Sequence, residues 1–502
     1  MRRNDQELGP EQLAGEDTPT GLSVPSVSSQ EPRSPSGGSS AADTVNKGPV
    51  ARVRVAMIHA ATVLRVHAFS LARRSQALVR ARPRHAASVL VGVALVGIIA
   101  PAALRSHGAP IAAPSTSASD APGSPKSVEA KPFPPPAPLA ALDLHSIALD
   151  DNGAVASAGG SRIAHLTLDP KLQLAVKKLL AKHKVPQAAI VMIEPSTGKV
   201  LAYASRDQSG ATQDLNVDAS APSASVFKIT TGAALVQVAG VSPDLKLCYS
   251  GGEQKLTLAD LKEDPKKDSY CATLAQAMGR SINTIFARLA SKKLNGADLH
   301  AIATQLGYGA PIPFDVPVMI SKIDLPTDPL GFARTAAGFW NTTLSPLHGA
   351  LLASTVANGG IMMRPYLVTD VVDGTTVVYK SASPVQLRKA IEPATAAALE
   401  KMMTETVAQG TCYKAFHDAK GKAFLPGIEV AGKTGTLNNP SPVKLYTWFV
   451  GYAPTKNPKV AIATLVVNDP VWKVKANVLA REALQAYFAQ NGAALVTMPA
   501  LD

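Results

Sequence analysis

The chain has 502 residues but only three cysteines, and aromatic residues make up only 5% of it. So few cysteines exclude a small scaffold held together by disulfides. Charged residues are also sparse, at 17%, whereas apolar residues reach 46%. This apolar content excludes a fully disordered chain, and the length corresponds to two to four domains of about 100–200 residues each.

Acidic residues are missing from residues 44–105, which contain ten lysines and arginines. Charge of either sign is missing from Ala86 to Leu104, a mostly apolar run of nineteen residues. This is close to the about 20 residues that a helix needs to cross a bilayer. Much of the net charge of +13 therefore lies beside a predicted transmembrane helix, and we expect no nucleic-acid partner.

The arginines around residues 86–104 predict the orientation of this helix. Five arginines closely precede the helix, at residues 73, 74, 80, 82 and 84, and only Arg105 closely follows it. The positive-inside rule then puts the N-terminus in the cytoplasm and the rest of the chain outside the cytoplasmic (inner) membrane. An uncleaved single-pass anchor is favoured over a signal peptide, because the apolar run starts far from the N-terminus and no cysteine directly follows it to take a lipid.

Composition divides the remaining chain into further segments. Residues 1–50 have few large apolar residues and are predicted to be a disordered cytoplasmic tail. Residues 51–85 form a basic juxtamembrane segment, for which an interfacial helix and a solvated tail both remain open. Residues 105–160 are rich in proline, alanine and serine, which predicts a semi-rigid tether. A folded domain is predicted over residues 161–490 and a short tail over 491–502.

Apolar periodicity within the folded domain predicts strand pairs between two terminal helices. The predicted elements are a helix from Asp169-Pro170, hairpins of residues 188–193 with 200–203 and of 447–452 with 460–467, and a helix over 480–490. The apolar face of the first helix is predicted to be Leu172, Leu174, Val176, Leu179 and Leu180. This pattern predicts an α/β (α+β) fold with a central antiparallel sheet covered by the terminal helices.

A Ser-x-x-Lys pattern occurs at Ser196, Ser225 and Ser441. On a helix, residues three apart share a face, so the lysine amine can take the proton of the serine hydroxyl. Ser196 falls in a predicted hairpin turn and Ser441 is followed directly by proline, whereas Ser225 opens a helical run. Ser225 and Lys228 are therefore the candidate nucleophile and base, at a helix N-terminus that favours negative charge.

Two further motifs contain side chains suited to a binding site. Ser281-Ile-Asn283 precedes an amphipathic run, and taken alone it is more often a helix N-cap. Lys433-Thr434-Gly435-Thr436 lies in β-prone sequence, where a lysine and two hydroxyls can hold a carboxylate. Residues 427–434 also satisfy the phosphate-loop pattern, but Pro440 and Gly435 argue against the helix that this loop requires after its lysine.

The order Ser-x-x-Lys, Ser-x-Asn, Lys-Thr-Gly is typical of penicillin-binding proteins and serine β-lactamases. Residues 163–490 closely resemble the transpeptidase domain of penicillin-binding proteins. Other segments similar to that domain are Leu166–Gln173, Gly198–Tyr203, Ser345–His348, Ala357–Gly360 and Trp448–Pro454. The resemblance implies a penicillin-binding/β-lactamase-like fold, with an all-α subdomain beside the sheet.

The resemblance also implies a role for each motif residue in acyl transfer from a D-Ala-D-Ala stem peptide. Ser225 would be the nucleophile, Lys228 its neutral base, and Ser281 the relay of a proton to the leaving amine. Asn283 would hold the substrate amide and help to place Lys228. The remaining roles would be carboxylate binding by Lys433, Thr434, Gly435 and Thr436, and an oxyanion hole of the backbone N–H groups of Ser225 and Thr436. β-Lactams would acylate Ser225 as substrate mimics.

The implied activity is that of a membrane-anchored serine D,D-transpeptidase that cross-links peptidoglycan. A D,D-carboxypeptidase or a β-lactamase would form the same acyl-enzyme and let water release it. A β-lactam sensor or a non-catalytic cell-wall scaffold also remains open, because residues 1–85 are long enough to bind a partner. The expected partners are stem peptides, β-lactams, the membrane and cell-wall synthesis proteins, and no cofactor is expected.

Two features depart from the family pattern. A tether of about 55 residues replaces the usual N-terminal pedestal or glycosyltransferase domain, which puts autonomous cross-linking in doubt. Residues 338–343 lack the usual Gly-Gln-Gly, which predicts altered substrate access.

The three cysteines lie outside the membrane in this topology. Cys248 and Cys271 flank one insert and are predicted to form a disulfide, with Cys412 as the odd thiol; three buried thiols are the alternative. The spacing of five histidines predicts no metal site, namely His165, His183, His300, His348 and His417.

Overall fold

In the computed structural model of the chain, residues 131–252, 255–440 and 443–492 are described. The strands are β1 Ala148–Asp150, β2 Gly153–Ser157, β3 Arg162–Leu166, β4 Gln187–Ile193, β5 Val200–Asp207, β6 Lys246–Tyr249, β7 Tyr270–Thr273, β8 Ile361–Met363, β9 Val368–Asp373, β10 Thr376–Lys380, β11 Gln386–Lys389, β12 Ala431–Pro440, β13 Val443–Ala453 and β14 Val460–Asn468. The helices are α1 Pro170–His183, α2 Lys228–Gln237, α3 Leu274–Arg280, α4 Asn283–Lys293, α5 Gly296–Gln305, α6 Pro329–Ala336, α7 Pro346–Ala357, α8 Pro393–Ala408, α9 Tyr413–Phe416 and α10 Ala476–Gln490. Short 3₁₀ helices lie at Ala137–Leu139 and Ala224–Phe227.

The central sheet has the strand order β12-β13-β14-β4-β5, with every neighbouring pair antiparallel. Strands β14 and β4 lie inside this order, and β14 is buried along its whole length. A strand buried on both faces favours apolar residues at successive positions, which explains the nearly continuous apolar sequence of these two strands, interrupted within β14 by Thr464. Both predicted hairpins are confirmed, as β4–β5 and β13–β14.

Helices α1 and α10 pack on one face of this sheet. Leu172 and Val176 of α1 share a buried apolar cluster with Leu479 of α10 and with Ile190 of β4. The opposite face is covered by α7, whose residues, apart from His348, are apolar or small on all sides and are buried from Pro346 to Val356. The prediction that the terminal helices cover both faces is therefore wrong, because the largely apolar α7 takes the second face.

Helix α1 begins as predicted. The side chain of Asp169 accepts a hydrogen bond from the backbone N of Leu172 at 2.8 Å, and Pro170 takes the first helical position. Leu174 does not belong to the buried face, because its side chain is 45% exposed. The last helix starts at Ala476 rather than at residue 480.

A second sheet has the order β1-β2-β3-β9-β10 and is also antiparallel. Strands β1 and β2 lie within residues 105–160, so the prediction of a tether up to residue 160 and of a domain starting at 161 is wrong. The proline-, alanine- and serine-rich composition of this segment gives no indication of the tight turn that joins β1 to β2. The Asp150 carboxylate accepts hydrogen bonds from the backbone N of Asn152 and Gly153 at 2.8 and 3.0 Å, and this reverses the chain.

Several predicted segments lie outside the described residues, namely 1–50, 51–85, the transmembrane helix 86–104 and the tail after residue 492. Within residues 131–252, 255–440 and 443–492, no helix combines the length and the apolar composition needed to cross a membrane.

Strands β6 and β7 pair Cys248 with Cys271, and a disulfide joins them as predicted. The insert between these strands is attached to helix α4 by a buried ion pair, in which Arg288 Nη1 lies 2.7 Å from Asp268 Oδ2. Arg288 also donates to the carbonyl oxygens of Cys248 and Asp260. Because α4 begins at Asn283, the insert supports the helix that contains a motif residue. Cys412 is a buried free thiol.

We expect Asp268→Asn to lower the free energy of unfolding by about 3–5 kcal/mol, because Arg288 stays buried without its charge partner. The Arg288 guanidinium lowers the pKa of Asp268 to about 2. The contribution of this carboxylate is therefore present above its unfolded pKa of about 4 and is lost as the pH falls through about 2. Urea unfolding at neutral and acidic pH measures both effects.

The matched control for this experiment is Glu263→Gln. It removes an exposed ion pair that also joins the insert to α4, in which Lys292 Nζ lies 2.6 Å from Glu263 Oε1. Such a pair contributes at most about 1 kcal/mol. Equal losses in the two variants would contradict the assignment of stability to the buried pair.

Candidate active site

Ser225 and Lys228 lie at the start of α2, where the 3₁₀ helix Ala224–Phe227 leads directly into the α-helix. Lys228 Nζ is 2.9 Å from Ser225 Oγ and 2.7 Å from Asn283 Oδ1, and it also donates to the carbonyl oxygen of Ala337. Asn283 Oδ1 and the Ala337 carbonyl can only accept, so they take two N–H groups of the amine. The third position of the nitrogen faces the serine hydroxyl.

The charge state of Lys228 decides whether its nitrogen donates a hydrogen bond to the Ser225 hydroxyl or accepts a proton from it. Lys228 and Lys433 are both fully buried. Burial, helped by the positive charge of Lys433, lowers the pKa of Lys228 well below its ordinary value. Burial lowers the pKa of Lys433 to about 7. This shift favours the neutral amine, in which Lys228 presents a lone pair to Ser225 and can accept its proton.

Ser281 and Asn283 lie where helix α3 ends and helix α4 begins. Ser281 ends α3 in the left-handed conformation, with φ of 60°, and Ile282 takes the N-cap position of α4. The simple N-cap interpretation of Ser281 is therefore wrong. Lys433 Nζ donates to Ser281 Oγ at 2.9 Å and to the carbonyl oxygen of Thr434 at 2.9 Å. The three motifs thus meet around two buried lysines.

Strand β12 is the edge strand of the central sheet and lies against the turn that contains Ser225. A Cβ on Gly435 would be 3.2 Å from both Ala224 Cβ and Ser223 O, so a residue without a side chain allows this contact. Trp448 of β13 donates from Nε1 to the carbonyl oxygen of Pro222 at 2.9 Å and holds the entry to the turn. Because β12 continues through Lys433 as a strand, the phosphate-loop interpretation is excluded.

A cavity of about 370 Å³ opens above these residues. Its lining residues are Ser225, Ser281, Asn283, Thr411, Thr434, Gly435, Thr436, Thr447, Trp448, Lys475, Ala476 and Asn477. Among these described lining residues there is no aspartate or glutamate, whereas there is one lysine. The cavity is therefore suited to an anionic ligand.

Sequence reasoning missed half of this lining. Thr411 Oγ1 lies 2.6 Å from Thr434 Oγ1, although Thr411 belongs to no motif. Lys475, Ala476 and Asn477 come from the start of α10, and only the tertiary fold brings them to the cavity. Of the other two Ser-x-x-Lys serines, Ser196 lies in the β4–β5 turn and Ser441 lies outside the described residues.

Gly338 follows the carbonyl that receives Lys228 and has a positive φ of 77°. A Cβ at this position would be 2.5 Å from Ala224 O and 2.9 Å from Ser225 Cα. We expect Gly338→Ala to displace the Ser225 turn and to slow acylation by a β-lactam about 100-fold, because a shift of about 1 Å costs that much. Stopped-flow acylation kinetics measure this effect.

Gly309→Ala is the control for Gly338→Ala. Gly309 has a similar φ of 68°, but a Cβ there meets nothing within 4 Å. It therefore introduces the same backbone strain without the clash. Comparable losses of acylation rate in both variants would show that strain, and not contact with Ser225, is responsible.

Residues 188–485 match the penicillin binding protein transpeptidase domain. The chain belongs to this family. It is 30% identical over 317 residues to the peptidoglycan D,D-transpeptidase PbpA of Mycolicibacterium smegmatis. This match covers 56% of the chain and 62% of that relative, so the chain spans less than two thirds of its length.

Solved structures of this family share the fold. The D,D-transpeptidase domain of a peptidoglycan glycosyltransferase from Eggerthella lenta has a TM-score of 0.55 and 26% identity, over 66% of this chain and 83% of that one. The imipenem acyl-enzyme complex of penicillin-binding protein A from M. tuberculosis has a TM-score of 0.55 and 27% identity, over 65% and 79%. The predicted family and its fold of antiparallel sheets and helices are confirmed.

Proposed function

We propose that the chain is a membrane-anchored serine D,D-transpeptidase that cross-links peptidoglycan stem peptides through an acyl-enzyme on Ser225. The observation that carries this proposal is the buried amine of Lys228, 2.9 Å from Ser225 Oγ, with its charge suppressed by burial. A serine hydroxyl is a weak nucleophile until a neighbouring base takes its proton. Family membership supports the same conclusion.

In the acylation step, Lys228 accepts the proton of Ser225 while Oγ attacks the carbonyl carbon of the penultimate D-alanine. The new C–O bond gives a tetrahedral intermediate, whose negative oxygen would lie at the backbone N–H groups of Ser225 and Thr436. The C–N bond to the last D-alanine then breaks. Ser281, hydrogen-bonded to Lys433, would relay to the departing amine the proton that Lys228 took from Ser225, which leaves Lys228 neutral again.

Substrate binding would use the polar side of the cavity. Asn283 would hold the amide of the stem peptide, and Lys433 with Thr434 and Thr436 would hold the terminal carboxylate. Gly435 keeps this strand close to Ser225. β-Lactams, which also present a carboxylate beside an amide carbonyl, would acylate the same hydroxyl.

Release of the acyl group distinguishes a transpeptidase from a hydrolase. An amine of a neighbouring strand would attack the ester and regenerate Ser225. Attack by water or by an amine could use the same base, Lys228, so the two activities differ in the nucleophile that reaches the ester. Family membership supports the transpeptidase.

The membrane anchor and the extracytoplasmic location of the enzyme are part of the same proposal. Residues 86–104 would anchor it in the cytoplasmic membrane, and the domain would lie outside, where the disulfide Cys248–Cys271 is stable. Helices α2 to α6 would form the all-α subdomain beside the sheet. Cell-wall synthesis proteins would be its partners.

The test is to incubate the protein with a fluorescent penicillin and to map the adduct by mass spectrometry of proteolytic peptides. We expect one adduct, on Ser225, that persists far longer than its formation takes. With a D-Ala-D-Ala donor, we expect D-alanine release to rise when an acceptor amine is added. Rapid turnover of penicillin would indicate a β-lactamase, and release independent of the amine a carboxypeptidase. Absence of any adduct would overturn the proposal.

A further inference from the structure

The start of helix α10 lies at one end of the active-site cavity. The backbone N of Ala476 donates to Thr447 Oγ1 at 3.1 Å. Thr447 of β13 is paired in register with Thr436 of β12. The residue before Ala476, Lys475, therefore comes close to the strand pair that is proposed to hold the substrate carboxylate, and it lines the cavity.

Lys475 ends the loop between β14 and α10, and hydrogen bonds to the side chain of Asn468 hold this loop in place. Asn468, which is fully buried, donates from Nδ2 to the carbonyl oxygen of Val474 at 3.1 Å and accepts from the backbone N of Lys473 at 3.0 Å. Lys475 Nζ lies over the ring of Trp472, 5.7 Å from its centroid. The face of an indole ring attracts an ammonium group, so the ring favours a position of the charge beside the cavity.

Lys433, the buried lysine of the Lys-Thr-Gly motif, can donate few hydrogen bonds to a ligand. Lys433 Nζ already donates to Ser281 Oγ and to the carbonyl oxygen of Thr434. Even as an ammonium it therefore has one N–H left. A carboxylate has two oxygens that accept several hydrogen bonds, so a second cation can add to its binding.

The surroundings of Lys475 are also positive. The first two residues of α10 line the cavity, so the positive end of the helix dipole lies at this end. Within the described lining of the cavity no carboxylate competes for the ammonium group. An incoming anion therefore meets an attractive potential at this end before it reaches Lys433.

We propose that Lys475, held over Trp472, is a second binding residue for the free carboxylate of the acyl donor, on the leaving-group side of the cavity. The inference rests on the proposed function and adds a residue to the site that would bind the carboxylate of the donor. Donors whose leaving group ends in a free carboxylate are bound by two lysines, and β-lactams use the same pair through their ring carboxylate.

The test compares benzylpenicillin with its methyl ester, which lacks the negative charge, in the full chain. We expect Lys475→Met to lower the second-order acylation rate with benzylpenicillin about tenfold. Lys475→Arg should retain the rate within about twofold, because the charge is kept. The methyl ester should react equally with wild type and Lys475→Met. Raising the ionic strength from about 0.05 M to about 0.5 M should reduce the advantage of the wild type.

Lys473→Met is the matched control, since Lys473 lies in the same loop but donates from Nζ to the carbonyl oxygen of Lys184, away from the cavity. We expect its rates to equal those of the wild type. Equal loss of rate with the acid and the ester in Lys475→Met would overturn the inference and indicate a structural role for Lys475. An unchanged rate with benzylpenicillin would also overturn it while leaving the acyl-enzyme intact. Absence of any adduct in the wild type would instead refute the proposed function.

Discussion

Ser225→Ala is expected to abolish covalent labelling by a fluorescent penicillin, with a loss of at least about 10⁴-fold in acylation rate. The hydroxyl of Ser225 is the one that faces the uncharged amine of Lys228, and alanine leaves that amine without a nucleophile to activate. The substitution removes one oxygen atom and fits the same space. Gel fluorescence together with mass spectrometry of the intact protein measures the loss.

Ser196→Ala is the control within the chain, because it changes the serine of an identical Ser-x-x-Lys pattern. Ser196 is exposed in the turn between β4 and β5. We expect its labelling to equal that of the wild type. Labelling of Ser225→Ala at another serine would show that the pattern at residues 225–228 has been assigned the wrong role.

Lys228→Met is expected to slow acylation about 10³- to 10⁴-fold, because methionine fills a similar volume but cannot accept a proton. Burial lowers the pKa of Lys228, so its amine is neutral above that lowered pKa and becomes protonated below it. The wild-type acylation rate should therefore fall as the pH decreases through this pKa. The variant should lose this acid limb along with most of its rate.

Lys199→Met provides the comparison for the base, since it removes the lysine of the Ser-x-x-Lys pattern in the β4–β5 turn. We expect an unchanged rate and an unchanged pH profile. Rate measurements across acidic to neutral pH, with far-UV circular dichroism as a check on folding, make the comparison. A wild-type rate that does not fall toward acidic pH would contradict a neutral lysine as the base.

The motifs of the active site could be predicted because their chemistry depends on short spacing. The offset of three positions from Ser225 to Lys228 places both side chains on one turn, and the structure brings them together. The strand character of residues 431–436 was also readable, from small and β-branched residues without a helix signal. These patterns predicted which side chains meet, although they are separated by up to about 200 residues of chain.

The remaining features could not be predicted because they depend on tertiary packing. Nothing in the sequence around Lys475 or Thr411 indicates that these residues reach the cavity. Ser281 was ambiguous, since a serine before a helix is usually its N-cap, and only the contact with Lys433 decides its role. The choice of sheet face for α1 and α10 likewise depends on α7 filling the other face.

Strands β1 and β2 determine where a soluble fragment of the chain should begin. A truncation at residue 161 would delete both strands and leave β3 with unpaired N–H and C=O groups along one side. Exposed edges of this kind promote aggregation between molecules. A fragment that starts near residue 131 keeps the five strands together and with them the support of β9, more than 200 residues later in the chain.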